Sequence, residues 1–218
     1  NVNAPVNLAA GDNFSTKLGS NGMPITYTVI TSVGEASHAT ASGNNTLQGM
    51  AHADNLAKSY ALGADIDANS TSGWEGGKGF APIGANANSF SGNFDGLGHK
   101  ITNLTINRTD ENHVGLFGMA DEYGAISNIG LVGASVTGSQ ELVGGSSVGG
   151  LVGSNSATIS NSYVTGTVTG LDAGGLVGFN SGAISNSYAT ANITGARYVG
   201  GLVGGAGKWS NHRLLCQG

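Results

Sequence analysis

A short run of glycine and apolar residues returns along the second half of the chain, and an Ile-Ser-Asn run usually follows it. The first run, Gly-Leu-(Val/Phe)-Gly, begins at Gly115, Gly150, Gly175 and Gly201. The Ile-Ser-Asn run begins at Ile126, Ile159 and Ile184. The last two full units are spaced 25 residues apart (175 − 150 and 184 − 159). Self-similarity at a fixed period predicts a repeat architecture.

Each unit contains three short apolar clusters that are separated by Gly, Asn or Ser. In one unit these clusters cover 148–152, 159–164 and 165–169. Three strands in 25 residues are typical of one coil of a three-faced parallel β-helix, which advances by about 4.8 Å per coil. Glycines are expected at the corners, where they adopt a positive φ without steric cost. Stacking predicts rows of Leu116, Leu151, Leu176 and Leu202, of Ile126, Ile159 and Ile184, of Asn128, Asn161 and Asn186, and of Tyr163 over Tyr188.

Comparison with the 25-residue period also shows where the chain departs from the repeat. The step from Gly115 to Gly150 is ten residues longer than 25, and we assign the excess to an inserted loop over 139–147. After Gly204 the chain no longer follows the repeat. A reading of hypothetical codons one base later restores much of the expected unit. We therefore predict that the tail from about Lys208 is frameshifted, and that Trp209 and Cys216 have no function.

The first half of the chain is less regular. Residues 24–30 are dense in β-branched and aromatic side chains and predict a strand. Asn44, Asn45 and Thr46 offer N-caps for one short helix near 47–60. Because the chain starts in mid-pattern, we expect it to be a fragment of a larger protein. The predicted domains are β-helix coils or strands over 1–45, a helix-bearing segment over 46–113, the repeat β-helix over 114–207 and the aberrant tail over 208–218.

Composition narrows the possible functions. Of 218 residues, 39 are Gly and only 10% are charged, with a net charge of −5. The scattered Lys and Arg argue against binding of nucleic acid through phosphate neutralisation. No stretch of 18 apolar residues occurs, so we expect no membrane insertion. The single Cys excludes an internal disulfide.

The Gly-Leu-Val-Gly runs resemble the GLUG repeats of bacterial surface proteins. Segments 60–67, 80–84 and 94–106 resemble the region that commonly leads into those repeats, and 1–6 resembles the repeats of filamentous-haemagglutinin-like exoproteins. The resemblance covers most of 1–205. It implies an all-β, right-handed parallel β-helix in a large adhesin, secreted or at the cell surface of a Gram-negative bacterium. An outer-membrane two-partner secretion transporter is the implied export partner. The family supplies no catalytic residues.

These features predict a structural or adhesive segment that mediates attachment to host cells, surfaces or biofilm matrix. Carbohydrate is the expected partner, because rows of Asn, Ser, Thr and Tyr present hydrogen-bonding groups and stacking faces. The binding surface is expected on the solenoid sides, in 65–95 or in the 139–147 loop, with no individual binding residue assigned. We expect no enzyme activity, cofactor or metal. The alternatives are a β-helix polysaccharide-degrading enzyme and the non-catalytic part of a GLUG-containing peptidase.

Isolated motifs point to other chemistry without its usual context. Residues 145–149, Gly-Ser-Ser-Val-Gly, fit the Gly-x-Ser-x-Gly pattern, yet no helical pattern follows them. Asp65, Asp67 and Asp95 offer carboxylates for calcium or for acid–base catalysis, but Asp95 precedes a turn glycine and no third ligand is evident.

Three other sets of residues carry weak signals. Thr165, Thr167 and Thr169 resemble an ice-binding Thr-x-Thr row, although the next coil has Asn192 in the middle position. The five histidines lack metal-ligand spacing; they are His38, His52, His99, His113 and His212. Asn-x-Ser/Thr sequons allow glycosylation at Asn13, Asn44, Asn69, Asn103, Asn107 and Asn192.

Overall fold

The computed structural model describes residues 4–43, 45–85, 88–141 and 145–207. These residues form an all-β fold with a few short 3-10 helices, at Ala36–Ala39, Gln48–Ala51, Ala53–Asn55 and Asn69–Gly77. The strands are β1 (Gly11–Lys17), β2 (Pro24–Ile30), β3 (Tyr60–Leu62), β4 (Ile66–Asp67), β5 (Asn93–Asp95), β6 (Lys100–Thr102), β7 (Thr105–Arg108), β8 (His113–Val114), β9 (Phe117–Ala120), β10 (Ala125–Ser127), β11 (Gly130–Gly138), β12 (Ser147–Gly149), β13 (Val152–Asn155), β14 (Thr158–Ser160), β15 (Tyr163–Gly170), β16 (Asp172–Gly174), β17 (Val177–Asn180), β18 (Ala183–Ser185), β19 (Tyr188–Gly195), β20 (Val199–Gly200) and β21 (Val203–Ala206).

The strands stack from coil to coil in four sheets. Strands β1 and β2 are antiparallel, whereas every other strand pair in the described ranges is parallel. One coil runs through β12, β13, β14 and β15, and the next runs through β16, β17, β18 and β19. The sheet orders are β1-β2-β3-β5-β10-β14-β18, β19-β15-β11-β6-β4 with β7 also on β11, β20-β16-β12-β8, and β21-β17-β13-β9.

A coil in the repeat region therefore contributes four strands, one more than the sequence predicted. The apolar cluster 148–152 is divided by a bend at Gly150 and Leu151 into β12 and β13, which belong to different sheets. Backbone pairing continues across the bend, since the Leu151 amide donates to the Leu176 carbonyl at 2.9 Å. The bend turns the chain within one apolar run, so hydrophobicity alone does not mark it.

The long coil places its ten extra residues at three points rather than in one loop. Phe117 pairs with Val152, an offset of 35 residues, whereas Ser147 pairs with Asp172, an offset of 25. Between these pairs the offset falls by two across the 121–124 turn, by one at a β-bulge beside Gly133, and by seven across 139–146. The prediction that 139–147 carries the whole excess was therefore wrong by three residues.

The predicted apolar rows form the core. Ile126, Ile159 and Ile184 pair in register across three coils. In the leucine row, Leu116, Leu151 and Leu176 are fully buried and Leu202 is partly buried. Backbone hydrogen bonds join the leucine positions from one coil to the next. These rows remove a continuous apolar strip from water, which is the main stabilising contribution in stacked repeats.

The glycines of the Gly-Leu-(Val/Phe)-Gly runs have a different role from the one predicted, whereas Gly133 and Gly166 have the predicted positive φ. Those of the Gly-Leu-(Val/Phe)-Gly runs do not have a positive φ. They allow close approach instead: a Cβ on Gly153 would lie 2.7 Å from the Gly118 carbonyl oxygen, and one on Gly178 would lie 2.7 Å from that of Gly153. The left-handed corner is occupied by the asparagine of each Ile-Ser-Asn run, for which a positive φ is tolerated; these are Asn128, Asn161 and Asn186.

The single helix predicted near 47–60 is absent; two short 3-10 helices, Gln48–Ala51 and Ala53–Asn55, lie there. His52 adopts an extended ψ of 137° between them. Tertiary hydrogen bonds hold this shape, because the buried Gln48 amide bonds both the N–H and the C=O of Ala81. Of the predicted caps, the Thr46 hydroxyl accepts from the Gly49 amide. Asn44 lies outside the described residues.

A buried histidine and backbone hydrogen bonds attach the N-terminal segment to the stack. His99 is only 3% exposed; its Nδ1 lies 3.1 Å from the Asp65 carboxylate and its Nε2 lies 3.0 Å from the Val6 carbonyl. The Val6 amide donates to the Leu97 carbonyl at 3.1 Å. The tail 208–218 and residues 1–3 lie outside the described residues, so the frameshift and the domain divisions stay predictions.

Candidate binding surface

A shallow groove of about 330 Å³ runs beside the first residues of β11, β15 and β19. One wall is the row of corner asparagines and the other is a pair of tyrosine rings. No charged side chain lines it. The lining residues are Gly98, Asn128, Ile129, Gly130, Asn161, Ser162, Tyr163, Asn186 and Tyr188. The groove lies on a side of the stack, outside both 65–95 and the 139–147 loop, and the location of the binding surface stays a prediction.

The asparagine wall follows from the repeat. Asn128, Asn161 and Asn186 have φ values of 54°, 49° and 47°, so the backbone turns in the same way at each corner. The Asn161 Nδ2 donates to the Asn128 Oδ1 at 3.3 Å, and the Asn128 Nδ2 donates to the Asp95 carboxylate at 2.9 Å. The predicted rung-to-rung amide bonds are thus formed between Asn128 and Asn161, whereas none joins Asn161 to Asn186.

The tyrosine wall confirms the predicted aromatic stack. The Tyr163 and Tyr188 rings lie 5.3 Å apart between centroids at an interplanar angle of 7°. Gly130 occupies the same row one coil earlier, where a Cβ would lie 2.4 Å from the Tyr163 ring. The glycine thus makes room for the Tyr163 ring. Burial, aided by Tyr188 and Asp65, raises the pKa of Tyr163 above its usual range.

A flat polar face continues from the tyrosines along the same strands. Thr165, Thr167 and Thr169 pair in register with Thr190, Asn192 and Thr194. The rows also extend into the earlier coils, which the sequence comparison of two coils did not reveal. One row contains Thr105, Ser135, Thr167 and Asn192, and the other contains Asn107, Thr137, Thr169 and Thr194. The face carries hydroxyl and amide groups at regular spacing and no charge.

A second asparagine row lies inside the stack and was missed from the sequence. Asn155 and Asn180 are 0% and 4% exposed. The Asn155 Nδ2 donates to the Asn180 Oδ1 at 2.8 Å and to the Ala157 carbonyl at 3.1 Å. The signal was available, because both residues stand two positions after a Gly-Leu-Val-Gly run. These buried amides are structural and do not reach a ligand.

The three candidate carboxylates are occupied by separate partners. Asp65 accepts from His99 and from the Lys100 amide, Asp67 from Asn103, and Asp95 from Asn128. Burial raises the pKa of Asp65, but the hydrogen bonds from Lys100 and His99 and the Lys100 charge outweigh it and lower that pKa. Across 4–43, 45–85, 88–141 and 145–207, no three His, Cys, Asp or Glu side chains come together as a metal site.

The Gly-x-Ser-x-Gly match lies in strand β12 rather than in a strand-to-helix turn. Ser147 pairs with His113 on one side and with Asp172 on the other. These three residue types are those of a hydrolytic triad, but their contacts differ. Arg197 binds both oxygens of the Asp172 carboxylate, and the His113 Nδ1 is buried without a partner. No acid–imidazole hydrogen bond links Asp172 to His113 among the described residues.

His113 gives the stack a predicted sensitivity to acid. Burial lowers the pKa of its imidazole, so the folded protein favours the neutral ring. An unfolded histidine titrates near pH ~6.5 and takes up the proton first as the pH falls. As the pH falls below ~6.5, the free energy of unfolding should therefore decrease until the pH has passed the pKa of His113 in the folded protein.

Urea unfolding of wild type and His113→Gln across this pH range measures the effect. The variant should lose less stability on acidification than wild type. Parallel stability curves for the two proteins would contradict the assignment.

The sequons and the remaining histidines show no common site. Asn13, Asn69, Asn103, Asn107 and Asn192 are exposed. Asn103 and Asn107 use their side-chain amides in hydrogen bonds to Asp67 and to the Gly77 carbonyl. His212 and Asn44 lie outside the described residues, and glycosylation stays a prediction.

Known proteins are similar to parts of this chain. Two coils match the GLUG motif. The matched residues are 144–169 and 170–194, which contain β12 to β15 and β16 to β19. The GLUG part of the sequence-based recognition is therefore confirmed.

Two relatives extend the similarity beyond the GLUG coils. The chain is 42% identical over 156 residues to halomucin of Haloquadratum walsbyi, which covers 63% of this chain and 2% of that protein. It is 37% identical over 155 residues to a protein of Evansella cellulosilytica provisionally named Gly-rich membrane protein, covering 64% of this chain and 17% of that protein. The chain thus spans a small part of the curated relatives it matches.

A solved structure shares the backbone arrangement. It is a protein of Bacteroides ovatus provisionally described as an immunoglobulin A1 protease, with a TM-score of 0.54 and 25% identity. The match covers 68% of this chain and 46% of that one. Within the described residues, no helix is long and apolar enough to cross a membrane.

Proposed function

We propose that this chain is a structural and adhesive segment of a secreted or cell-surface protein, which attaches to carbohydrate on host cells, surfaces or biofilm matrix. The observation that carries the proposal is the uncharged side of the stack, where the Tyr–Asn groove continues into rows of hydroxyl and amide groups. Such a surface offers many neutral hydrogen bonds together with aromatic contact area, which suits a polyhydroxylated ligand.

The relatives support a surface location. Halomucin and the Gly-rich membrane protein carry names that point outside the cytoplasm, and neither name denotes catalysis. Rigid stacked coils suit such a protein, because each coil is stabilised by its neighbours and the stack presents an extended side. Export through an outer-membrane two-partner secretion transporter is our proposal for the full-length protein.

We further infer that the stack is a right-handed β-helix. Crossovers between parallel strands of one sheet are right-handed in about 98% of cases, and the strand pairs of the repeat coils are all of this kind. The GLUG resemblance supports the same handedness.

The second candidate is the non-catalytic part of a peptidase. The structural match to the Bacteroides ovatus protein favours it, since that protein is provisionally described as a protease. In that case the stack would hold or position a catalytic domain elsewhere in the full-length protein. Adhesion and this role share the same coils, and they differ in what the stack itself binds.

Incubation of the chain with a panel of polysaccharides tests the proposal. We expect the protein to be retained on at least one neutral polysaccharide without release of reducing ends, since binding requires no bond cleavage. The readouts are the bound fraction in a pull-down and a reducing-sugar assay. Release of reducing ends would favour the polysaccharide-degrading alternative, and retention on none of the polysaccharides would contradict adhesion through carbohydrate.

A further inference from the structure

The turn between β1 and β2 contains the single Asn-Gly pair of the sequence. Asn21 is exposed and is followed by Gly22, whereas every other asparagine precedes a residue with a side chain. An asparagine side chain holds an amide carbon on which the backbone nitrogen of the next residue can close a five-membered ring. Glycine leaves the path of this attack open, because it has no Cβ and its backbone is the least restricted.

Both reacting groups of this pair are free to react. Among the described residues, the Gly22 amide nitrogen donates no hydrogen bond. The Asn21 side-chain oxygen accepts from the Ser20 hydroxyl at 3.4 Å. A donor on this oxygen polarises the amide carbon and stabilises the negative charge that develops on the oxygen during attack. The turn therefore combines an unbonded backbone nitrogen with a polarised amide carbon.

The Asn-Ser pairs inside the stack differ, because their backbone nitrogens are hydrogen-bonded. The Ser156 amide, which follows Asn155, donates to the Ala120 carbonyl at 2.8 Å. The Ser181 amide, which follows Asn180, donates to a backbone carbonyl of the adjacent coil at 2.7 Å. Each of these nitrogens must lose a buried hydrogen bond before it can reach the amide carbon, and that loss raises the barrier. The stack therefore protects its own asparagines.

The Asp95–Gly96 pair shows that a following glycine is not sufficient. The Gly96 amide donates to the Ser127 carbonyl at 2.8 Å, so its nitrogen is held in place. The Asp95 carboxylate accepts from the Leu97 amide and from the Asn128 side chain, each at 2.9 Å. A carboxylate is also a poorer electrophile than an amide, because it already carries negative charge. The free turn, and not glycine alone, distinguishes the pair in the β1–β2 hairpin.

We propose that Asn21 is a site of spontaneous deamidation, where the chain gains a negative charge without an enzyme. The Gly22 nitrogen gives its proton to water and bonds to the Asn21 Cγ, and the Cγ–Nδ2 bond breaks with release of ammonia. Water then opens the resulting succinimide at one of its two carbonyls. Opening at Cγ leaves aspartate, and opening at the main-chain carbonyl leaves isoaspartate. One water is consumed and one ammonia is released. This inference goes beyond the proposed function and does not rest on it.

Incubation of the folded chain in mildly alkaline buffer, followed by peptide mapping with mass spectrometry, is the test. Asn88 is the internal comparison, since it is also exposed but precedes Ser89. We expect Asn21 to deamidate at least about tenfold faster than Asn88. The buried Asn155 and Asn180 should stay intact in the folded chain and should react in urea, where the coils unfold. In heavy-oxygen water, the label should enter the carboxyl group that forms at position 21.

Two variants test the assignment through charge. Anion-exchange chromatography separates the deamidated chain, whose net charge is more negative than the original −5. Asn21→Gln should form this acidic species at least about tenfold more slowly than wild type, since glutamine closes a six-membered ring less readily. The matched control Asn88→Gln should behave like wild type, and circular dichroism checks that both variants fold. Equal rates for wild type and Asn21→Gln, or an intact Asn21 while Asn88 reacts, would overturn the proposal.

Discussion

Replacement of Gly178 by alanine should destabilise the stack strongly. The added Cβ would lie 2.5 Å from the Val148 amide nitrogen and 2.7 Å from the Gly153 carbonyl oxygen. Both contacts are with backbone, which cannot swing aside as a side chain does. We expect the free energy of unfolding to fall by about 3 kcal/mol, at the upper end of the range for overpacking. Urea unfolding followed by circular dichroism measures the loss.

Gly201→Ala is the matched control for this change. Gly201 opens the last Gly-Leu-Val-Gly run, and a Cβ there would meet no atom within 4 Å. We expect a change within about 0.5 kcal/mol, as for surface substitutions generally. If the two variants lose the same stability, then close approach between coils is not the reason for glycine at position 178.

Truncation of the buried Asn155 to alanine is the second large effect. The change removes the hydrogen bond to the Asn180 Oδ1 and two bonds to the backbone of Ala157, all inside the stack. Each buried polar group left without a partner costs about 1–3 kcal/mol. We expect a loss of about 3 kcal/mol in the free energy of unfolding, measured by urea titration.

The neighbouring coils supply an internal comparison. In the same row, Ala120 lies in the coil before Asn155 and Ala206 lies in the coil after Asn180. An alanine is therefore accommodated at this position of a coil. The loss should therefore come from unpaired amides, and the double variant Asn155→Ala/Asn180→Ala should lose less than the sum of the single variants. Asn192→Ala, at an exposed position, is the control and should change stability little. Strict additivity would mean that the two amides are not coupled.

The sequence predicted the parts of this fold that depend on period alone. The pairing of Ile159 with Ile184 and the stacking of Tyr163 on Tyr188 follow from the 25-residue spacing, because equal spacing puts equivalent residues on neighbouring strands. Ile126, which is 33 residues before Ile159, was placed in the same row by its Ile-Ser-Asn run. The GLUG match of residues 144–169 and 170–194 was expected from the resemblance of the Gly-Leu-Val-Gly runs and not from the period. Such features need no knowledge of distant contacts.

Other features depended on contacts that the period does not contain. The helix predicted near 47–60 was replaced by short 3-10 helices because Gln48 bonds Ala81, which is 33 residues away. The glycines of the Gly-Leu-(Val/Phe)-Gly runs were expected to need a positive φ. Instead, glycines such as Gly153 and Gly178 lie close to the backbone of the adjacent coil. The groove itself depends on Gly130, whose lack of a side chain matters only because Tyr163 lies over it one coil later.

The uneven coil lengths have a practical meaning for engineering. Between β11 and β12 the chain has seven residues more than the corresponding segment of the next coil. Ser147 nevertheless pairs in register with both His113 and Asp172. In this coil the strand pairing is thus maintained despite seven extra residues between β11 and β12. Foreign peptides inserted after Ser139 would be displayed on the flank of the shaft while the interior packing of every rung is conserved, which makes this coil a ready acceptor for epitopes or affinity tags.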